Sequence, residues 1–440
     1  MPVMTRDEAQ ALIERVVKMS RADEIQVSLG AGVENNIRFA DNRITTAGGV
    51  NDLDVRVFSA FGRRHAVATT NDVTDEGLQR AVRQSEALAR LAPENPEKMP
   101  LVGPQTYKEV DGHFGSTAGA TAADRAQAAG VTLSAAASAG GLKAAGILLV
   151  NDRVNALGNS AGLFAYRPST SVDFTTTVRT NDGTGSGWGG ANHPDWTKVN
   201  FQAASDTAIA KARLSRNPVR IEPGRYTVVL EPQAAADLVS LVANAFSARS
   251  AMEGRSAFSK PGGGTKVGEQ IMDQRVSFIS DASHPLILGS PYDNDGRPVQ
   301  PRTWIENGVL RNLDYSPFWA QKNGVPVIGT SGSLIMTGGT QSLADIIAST
   351  ERGVLVTRFW YIRPVNSRTL LYTGLTRDGT FLIEDGRIAR PVQNMRFNES
   401  PLFMLGKLDA VGAPVRVSNS EAMPALRVRD FNFASVSDAV

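Results

Sequence analysis

The chain has 440 residues, with 46 basic and 44 acidic side chains, a formal net charge of +2, and no cysteine. That length predicts two or three domains and a sizeable core, at roughly 150 residues per domain, and the interspersed, nearly balanced charges argue against a nucleic-acid-binding surface. Zero cysteines exclude disulfides, iron–sulfur clusters, thiolate nucleophiles and every cysteine-ligated zinc site.

The first twenty residues have a helical rhythm through Ala11, Leu12, Val16 and Met19 but no signal-peptide core. No stretch approaches the roughly 18 uninterrupted apolar residues of a membrane helix, so a cytoplasmic protein that avoids membranes is expected. Short alternating segments follow at Ile25–Leu29, Asn36–Ala40, Leu53–Phe58 and Ala66–Thr70, joined by turns containing Gly or Asp-Asn, and read as an antiparallel sheet. A helix is predicted over Thr74–Leu91, with Asp75 and Glu76 near its positive N-terminal end. Four prolines between Pro93 and Pro104 mark an extended connection, and the alanine-rich Thr121–Ala139 reads as helical. Strands are expected at Ala144–Val150 and Ser171–Arg179, then a Gly183–Gly190 loop holding Trp188 and a helix over Asp195–Leu214. Pro218 and Pro223 set the boundary between an N-terminal domain, 1–218, and a C-terminal domain, 219–440.

Tyr226–Leu230 is a β-branched and aromatic run that Pro232 ends, and proline suits the first turn of a helix. Leu238, Leu241, Val242, Ala245 and Phe246 recur at three- and four-residue steps, predicting one buried helical face that runs on to a stop at Gly254. Between Pro232 and Met252 there is no His, Glu or Cys, and Asp237 is the one acid. Beyond it the chain reads as mostly β. Asn307-Gly308 is a hairpin signal, because both turn positions need positive φ. Asp378-Gly379 and Asp385-Gly386 are read the same way, making Arg368–Ala389 a three-stranded meander in a barrel or sandwich. A short helix near Pro401–Leu408 and a last strand near Ala425–Val428 complete an α+β fold.

The chemistry-bearing residues are scattered. His65, His113, His193 and His284 never fall within one helical turn of each other and read as isolated surface or turn histidines. Gly262-Gly263-Gly264-Thr265-Lys266 lacks the phosphate-loop spacing and reads as a loop. Asp293-Asn294-Asp295-Gly296 lacks the spacing and distal Glu of a calcium loop and reads as a turn. Arg358, Tyr361, Arg363, Asn366 and Glu399, in a region dense with aromatics, are candidates for a peptide-binding groove, although ordinary pairing on a sheet explains them equally well.

Several blocks together resemble one family: NNIRFADNRITTAGGVNDLDVRVF, SAFSKPGGGTKVGEQI, RTWIENGVLRN and RFWYIRPVNSRTLLYTGLTRDGTFLIEDGRIARPVQNMRF. They are similar, in order and over nearly the whole chain, to the TldD/PmbA family, also called peptidase U62 or modulator of DNA gyrase. The resemblance implies an α/β N-terminal domain, a largely β C-terminal domain, and a dimer of two paralogs around a proteolytic chamber. The catalytic paralog carries His-Glu-x-x-x-His on the helix before the Ser-Ala-Phe block, and a downstream Cys, to hold zinc. Here that helix reads DLVSLVANAFS before Ser256-Ala257-Phe258, so no catalytic or metal residue carries over. The expectation is therefore a PmbA/TldE-like, non-catalytic subunit without a cofactor of its own. Its partner would be a zinc-bearing TldD-like paralog and its substrate short or unfolded peptides. The alternative is a stand-alone homodimeric peptide-binding or scaffold protein.

Overall fold

A six-stranded antiparallel sheet fills the first half of the computed structural model, which describes residues 1–329 and 332–437. Its strands are β1 (Glu24–Ala40), β2 (Arg43–Phe61), β3 (Arg64–Thr70), β4 (Leu142–Asn159), β5 (Phe164–Thr180) and β6 (Ser186–His193), in the order β3-β2-β1-β4-β5-β6. Strand alternation explains the sheet's two faces. Odd positions of β1, among them Ile25, Val27, Leu29, Ile37 and Phe39, are buried, while the even positions point away from that core. The segments expected as two separate strands, 25–29 and 36–40, are thus one continuous strand. Gly30 and Gly32 fall on the even face, and the odd-face apolar pattern breaks at Asn35 without interrupting the ladder. β1 turns into β2 at Asp41-Asn42, both at positive φ (49° and 60°), a conformation these short polar residues tolerate.

Helices cover only the odd face of β1. At one end α1 (Arg6–Met19) and α2 (Asp75–Leu91) bury Ile13, Val16, Leu78 and Val82 against Val27, Val55 and Val57. Past α3 (Gly115–Ala118), α4 (Ala122–Ala139) and α5 (Phe201–Leu214) bury an alanine-rich face against Phe39, Leu148 and Phe174. The helices start on caps, with Thr5 and Thr121 closing capping boxes and Thr74 accepting from the Gly77 amide, so the ranges expected from Thr74 and Thr121 begin on their cap residues. The helix expected from Asp195 begins at Phe201 instead, capped by the Asn200 side chain. The Gly183–Gly190 loop ends by entering β6, which carries Trp188 in a strand.

The second half runs β7 (Gly224–Leu230), α6 (Pro232–Val239), α7 (Ala248–Met252), β8 (Ser277–Ser280), β9 (Ser283–His284), β10 (Ile287–Leu288), β11 (Arg302–Glu306) and β12 (Val309–Leu310). It continues with α8 (Pro317–Asn323), β13 (Leu334–Thr337), α9 (Leu343–Ala348), β14 (Arg352–Asn366), β15 (Leu371–Glu384), β16 (Arg387–Pro391), β17 (Met395–Glu399), α10 (Pro401–Leu405), β18 (Leu408–Arg416) and β19 (Glu421–Val436). The pairings β7–β14, β14–β15, β15–β17, β17–β19 and β19–β7 close a ring, so the barrel alternative is the observed one. Only β7–β14 is parallel within it. The large core includes Val228, Leu230, Val354, Leu426 and a cluster of Phe359, Phe397, Phe431 and Phe433, with ring centroids 4.7 to 5.8 Å apart.

Two expectations for the second half are corrected as well. Asp378-Gly379 is not a hairpin turn: β15 passes straight through it, and the register slips opposite Thr357, giving a bulge. Positive φ at Asp378 and Gly379 serves the bulge as well as it would a turn, so the sequence signal was ambiguous. Asn307-Gly308 and Asp385-Gly386 are tight turns as expected. The helix expected from Pro232 to Gly254 is broken into α6, a 3-10 stretch at Ser240–Ala245, and α7. Ser240 Oγ donates to the Ala236 carbonyl at 2.6 Å, and Ser247 starts a fresh helix by capping Ser250. Between them the backbone leaves the helix to pair with Asp314.

Candidate functional site: a cleft between the sheets

The helix-free side of the N-terminal sheet faces the C-terminal half, and a cleft of about 950 Å³ lies between them. Its floor comes from β1, β2, β4 and β5. Strand register puts Asp54, Gly30, Asn155 and Arg167 in one row across four neighbouring strands. Gly30 leaves that row open at its centre: a Cβ there would lie 2.5 Å from Asp54 Oδ1. A second trough continues along the same face over Gly32, between Asp52 and Arg153.

The opposite wall is built by the turn Asp293–Gly296 and by Asp314–Pro317. The turn is self-made, since Asp293 Oδ1 accepts from the amides of Asp295 and Arg297 at 2.9 and 2.8 Å. It is pinned to the first domain by the hydroxyl of Tyr107, which donates to the Gly296 carbonyl at 2.7 Å, and by that of Tyr292, which donates to the Asn155 carbonyl at 2.8 Å. Burial pushes the Tyr107 phenol up to about 12, helped by the Asp293 charge, and moves the Tyr292 phenol up as well. Burial also raises the carboxyls of Asp293 and Asp314, the second further lifted by the first. Arg167 is shifted the other way, downward, because burial disfavours its charge.

The five sequence candidates do not form this cleft. Arg358 sits at the domain junction, its guanidinium 3.7 Å from Asp378 Oδ2 and 5.0 Å from the Trp188 ring centroid. Tyr361, Arg363 and Asn366 lie at the far, exposed end of β14, where the Arg363 guanidinium covers the Tyr361 ring at 4.2 Å. Glu399 is two strands over from that end but is buried. Its carboxylate accepts from the amides of Ser400 and Asn432 and so ties β17 to β19. The histidines stay apart: His113 meets Asp152 at 3.1 Å, and His193 and His284 each accept a nearby backbone amide. Lys266 is committed to the Ala257 carbonyl at 2.8 Å, so the triglycine loop presents no free lysine. Of the cleft residues, only the Asp293 turn carried a sequence signal. Arg167 and Asp314 are single charged residues with no motif around them.

The segment where the resemblance would seat zinc borders the cleft. Asp314 receives the Ala248 amide on its carbonyl at 2.9 Å and donates its own amide to the Phe246 carbonyl at 2.7 Å. Within the segment Leu238, Val239, Val242, Ala245 and Phe246 are turned into the barrel core. Its polar side chains are engaged: Asp237 accepts from Gln233 Nε2 and the Phe359 amide, each at 2.8 Å, and Asn244 donates to the Tyr372 hydroxyl at 3.2 Å. One committed carboxylate, an amide and hydroxyls do not fit a zinc ion, which takes thiolate, imidazole and carboxylate ligands. Among the described residues, no group of three His, Cys, Asp or Glu side chains is placed to hold a metal.

An antiparallel sheet backed by four long helices, joined across a polar cleft to a closed β-barrel, defines a two-lobed α+β protein. Residues 223–435 match the family model described as PmbA/TldA metallopeptidase C-terminal domain, and residues 26–89 match PmbA/TldA metallopeptidase domain 1. The chain belongs to the PmbA/TldD metallopeptidase family. A metalloprotease of Methanothermobacter thermautotrophicus is 25% identical over 212 residues, 44% of each chain. A metalloprotease TldD homolog of Buchnera aphidicola is 23% identical over 167 residues, 34% of each. The matched stretches thus span less than half the length of these curated relatives. The solved structure of TldE from Thermococcus kodakarensis superposes with a TM-score of 0.84 at 19% identity, covering 97% of this chain and 99% of that one, a likeness of fold. No helix among the described residues is long and apolar enough to cross a membrane.

Proposed function

We propose that the chain is a non-catalytic, peptide-holding subunit of a cytoplasmic TldD/PmbA-type zinc metalloprotease, paired with a zinc-bearing paralog that cuts short or unfolded peptides. The observation that carries this reading is the segment Asp237–Phe246. Where a hydrolase of this family would need three protein ligands and an open position for water, the segment turns hydrocarbon into the barrel and uses its polar groups to brace neighbouring strands. The cleft beside it remains wide enough for several residues of extended peptide, with bare backbone at Gly30 and charges of both signs.

The test is reconstitution. The purified chain, incubated with zinc and an unstructured peptide, is expected to retain no stoichiometric zinc and to leave the peptide intact. Adding a paralog that carries His-Glu-x-x-x-His is expected to give a heteromer by native mass spectrometry and to start cleavage. Stoichiometric zinc with hydrolysis by this chain alone would overturn the reading. A homodimer that binds peptide but ignores the paralog would establish the scaffold alternative instead.

A further inference from the structure

Arg167 is the odd charge in the cleft. Two guanidiniums at the domain junction have carboxylates within reach, Arg249 meeting Glu97 at 2.8 Å and Arg358 lying 3.7 Å from Asp378, although Arg358 Nε is itself without a hydrogen bond. Arg167 is largely enclosed by the two domains, and its Nε is shut off from solvent without a hydrogen-bond partner. Among the described residues its guanidinium makes no ion pair or hydrogen bond. The nearby acids are turned elsewhere, with Asp293 holding its own turn and Asp54 leaning over Gly30. An enclosed, unpaired guanidinium is unfavourable unless something completes it, and this one lines a cavity with room for a ligand. Its planar fork matches a carboxylate in a bidentate pair, a geometry lysine cannot reproduce.

We propose that Arg167 anchors a carboxylate carried by a ligand lying in the cleft, along the row Arg167–Asn155–Gly30–Asp54. Two sources share this chemistry, the α-carboxylate at the end of a peptide and the side chain of an internal Asp or Glu. The proposal rests on the reading of the cleft as a peptide site, and small carboxylates separate the two ideas. In the assay the full-length chain is titrated with N-acetylglycine, with N-acetylglycinamide, and with a short unstructured peptide in three forms: free C-terminus without acidic residues, amidated without acidic residues, and amidated with one internal Glu.

N-acetylglycine is expected to raise the thermal midpoint of the wild type and its amide is not. R167Q and R167K are both expected to lose that response. R167Q should fold, because it removes an unpaired charge, and R167K keeps the test alive if it does not. For peptides, loss of the preferred carboxylate is expected to weaken binding roughly tenfold to a hundredfold, the range of a charge-assisted hydrogen-bonded pair. Rescue of the amidated peptide by the internal Glu assigns the side-chain source, and failure of rescue assigns the terminus. If N-acetylglycine acts through Arg167 while no peptide binds, the anchor stands and the peptide reading falls. If the carboxylate response is absent, or survives in both variants, the anchor is refuted.

Discussion

Ser186 on the last strand of the N-terminal sheet donates its hydroxyl to Asp378 Oδ1 in the barrel at 2.6 Å, in a contact almost sealed from solvent. Asp378 occupies the β15 bulge, and Arg358 and Arg377 stand 3.7 and 3.8 Å from its other oxygen. Removing the hydroxyl leaves a buried carboxylate short of one donor. Ser186→Ala is expected to cost about 1–3 kcal/mol in urea unfolding. A midpoint equal to wild type would mean the two arginines suffice.

Lys211 on α5 and Glu231 at the start of α6 form a second junction contact, N to O 2.5 Å, with both side chains largely buried. Breaking such a pair leaves an uncompensated charge, whereas replacing both partners does not. Lys211→Met alone is therefore expected to lose about 3 kcal/mol, and adding Glu231→Leu is expected to return most of it. A double-mutant cycle read by denaturant unfolding checks this, and additive losses would contradict it.

Asp237 is raised to about 6, chiefly by burial, against the opposing pull of the Gln233 and Phe359 hydrogen bonds and the Arg358 charge. A carboxyl whose folded pKa exceeds its unfolded value favours the protonated form in the native state. Its contribution is present in full below the unfolded pKa, near 4, and is lost as pH rises through about 6. Asp237→Asn should erase that dependence. Between pH 4 and 7 the wild type is expected to lose roughly 1–3 kcal/mol relative to the variant. Parallel stability–pH curves for the two would show that Asp237 ionises normally.

Phe431 is fully buried and touches Phe359, Phe397 and Phe433. Truncating it opens a void between strands that pair with each other and cannot collapse freely. Phe431→Ala is expected to cost about 3–5 kcal/mol. Phe403, half exposed on α10, supplies the control, since Phe403→Ala should be nearly silent in the same measurement.

What the sequence revealed follows local physics. The helices expected from Thr74 and Thr121 start there because capping acts within three residues, and Asn307-Gly308 announces a hairpin because positive φ is written into those residue types. The same logic misread Asp378-Gly379. Left-handed backbone marks a bulge as readily as a turn, and only the partner strand decides between them. The unbroken helix expected after Pro232 gives way at Ser240 and restarts at Ser247, and the strand-like pairing of Ser247 with Asp314, about 70 residues downstream, is a part of that break no local pattern carries. The cleft was invisible for a related reason. Arg167, Gly30 and Asp54 become neighbours through strand register, and Tyr292 and Asp314 through domain apposition, none of which leaves a spacing in the chain. By contrast, the aromatic neighbourhood of Arg358 and Tyr361 stood out in sequence yet divides between a junction contact and an exposed strand end.

The strand Glu421–Val436 pairs with β7, β13, β17 and β18 at once, so residues near 224 find their antiparallel neighbour only near 433. During synthesis the N-terminal lobe can consolidate as soon as α5 has emerged, but the barrel must wait, unclosed, while the chain from Ser215 to the strand Glu421–Val436, more than two hundred further residues, leaves the ribosome. A nascent chain halted before residue 421 would expose several raw strand edges together, making the late-translated half the one that depends on chaperones.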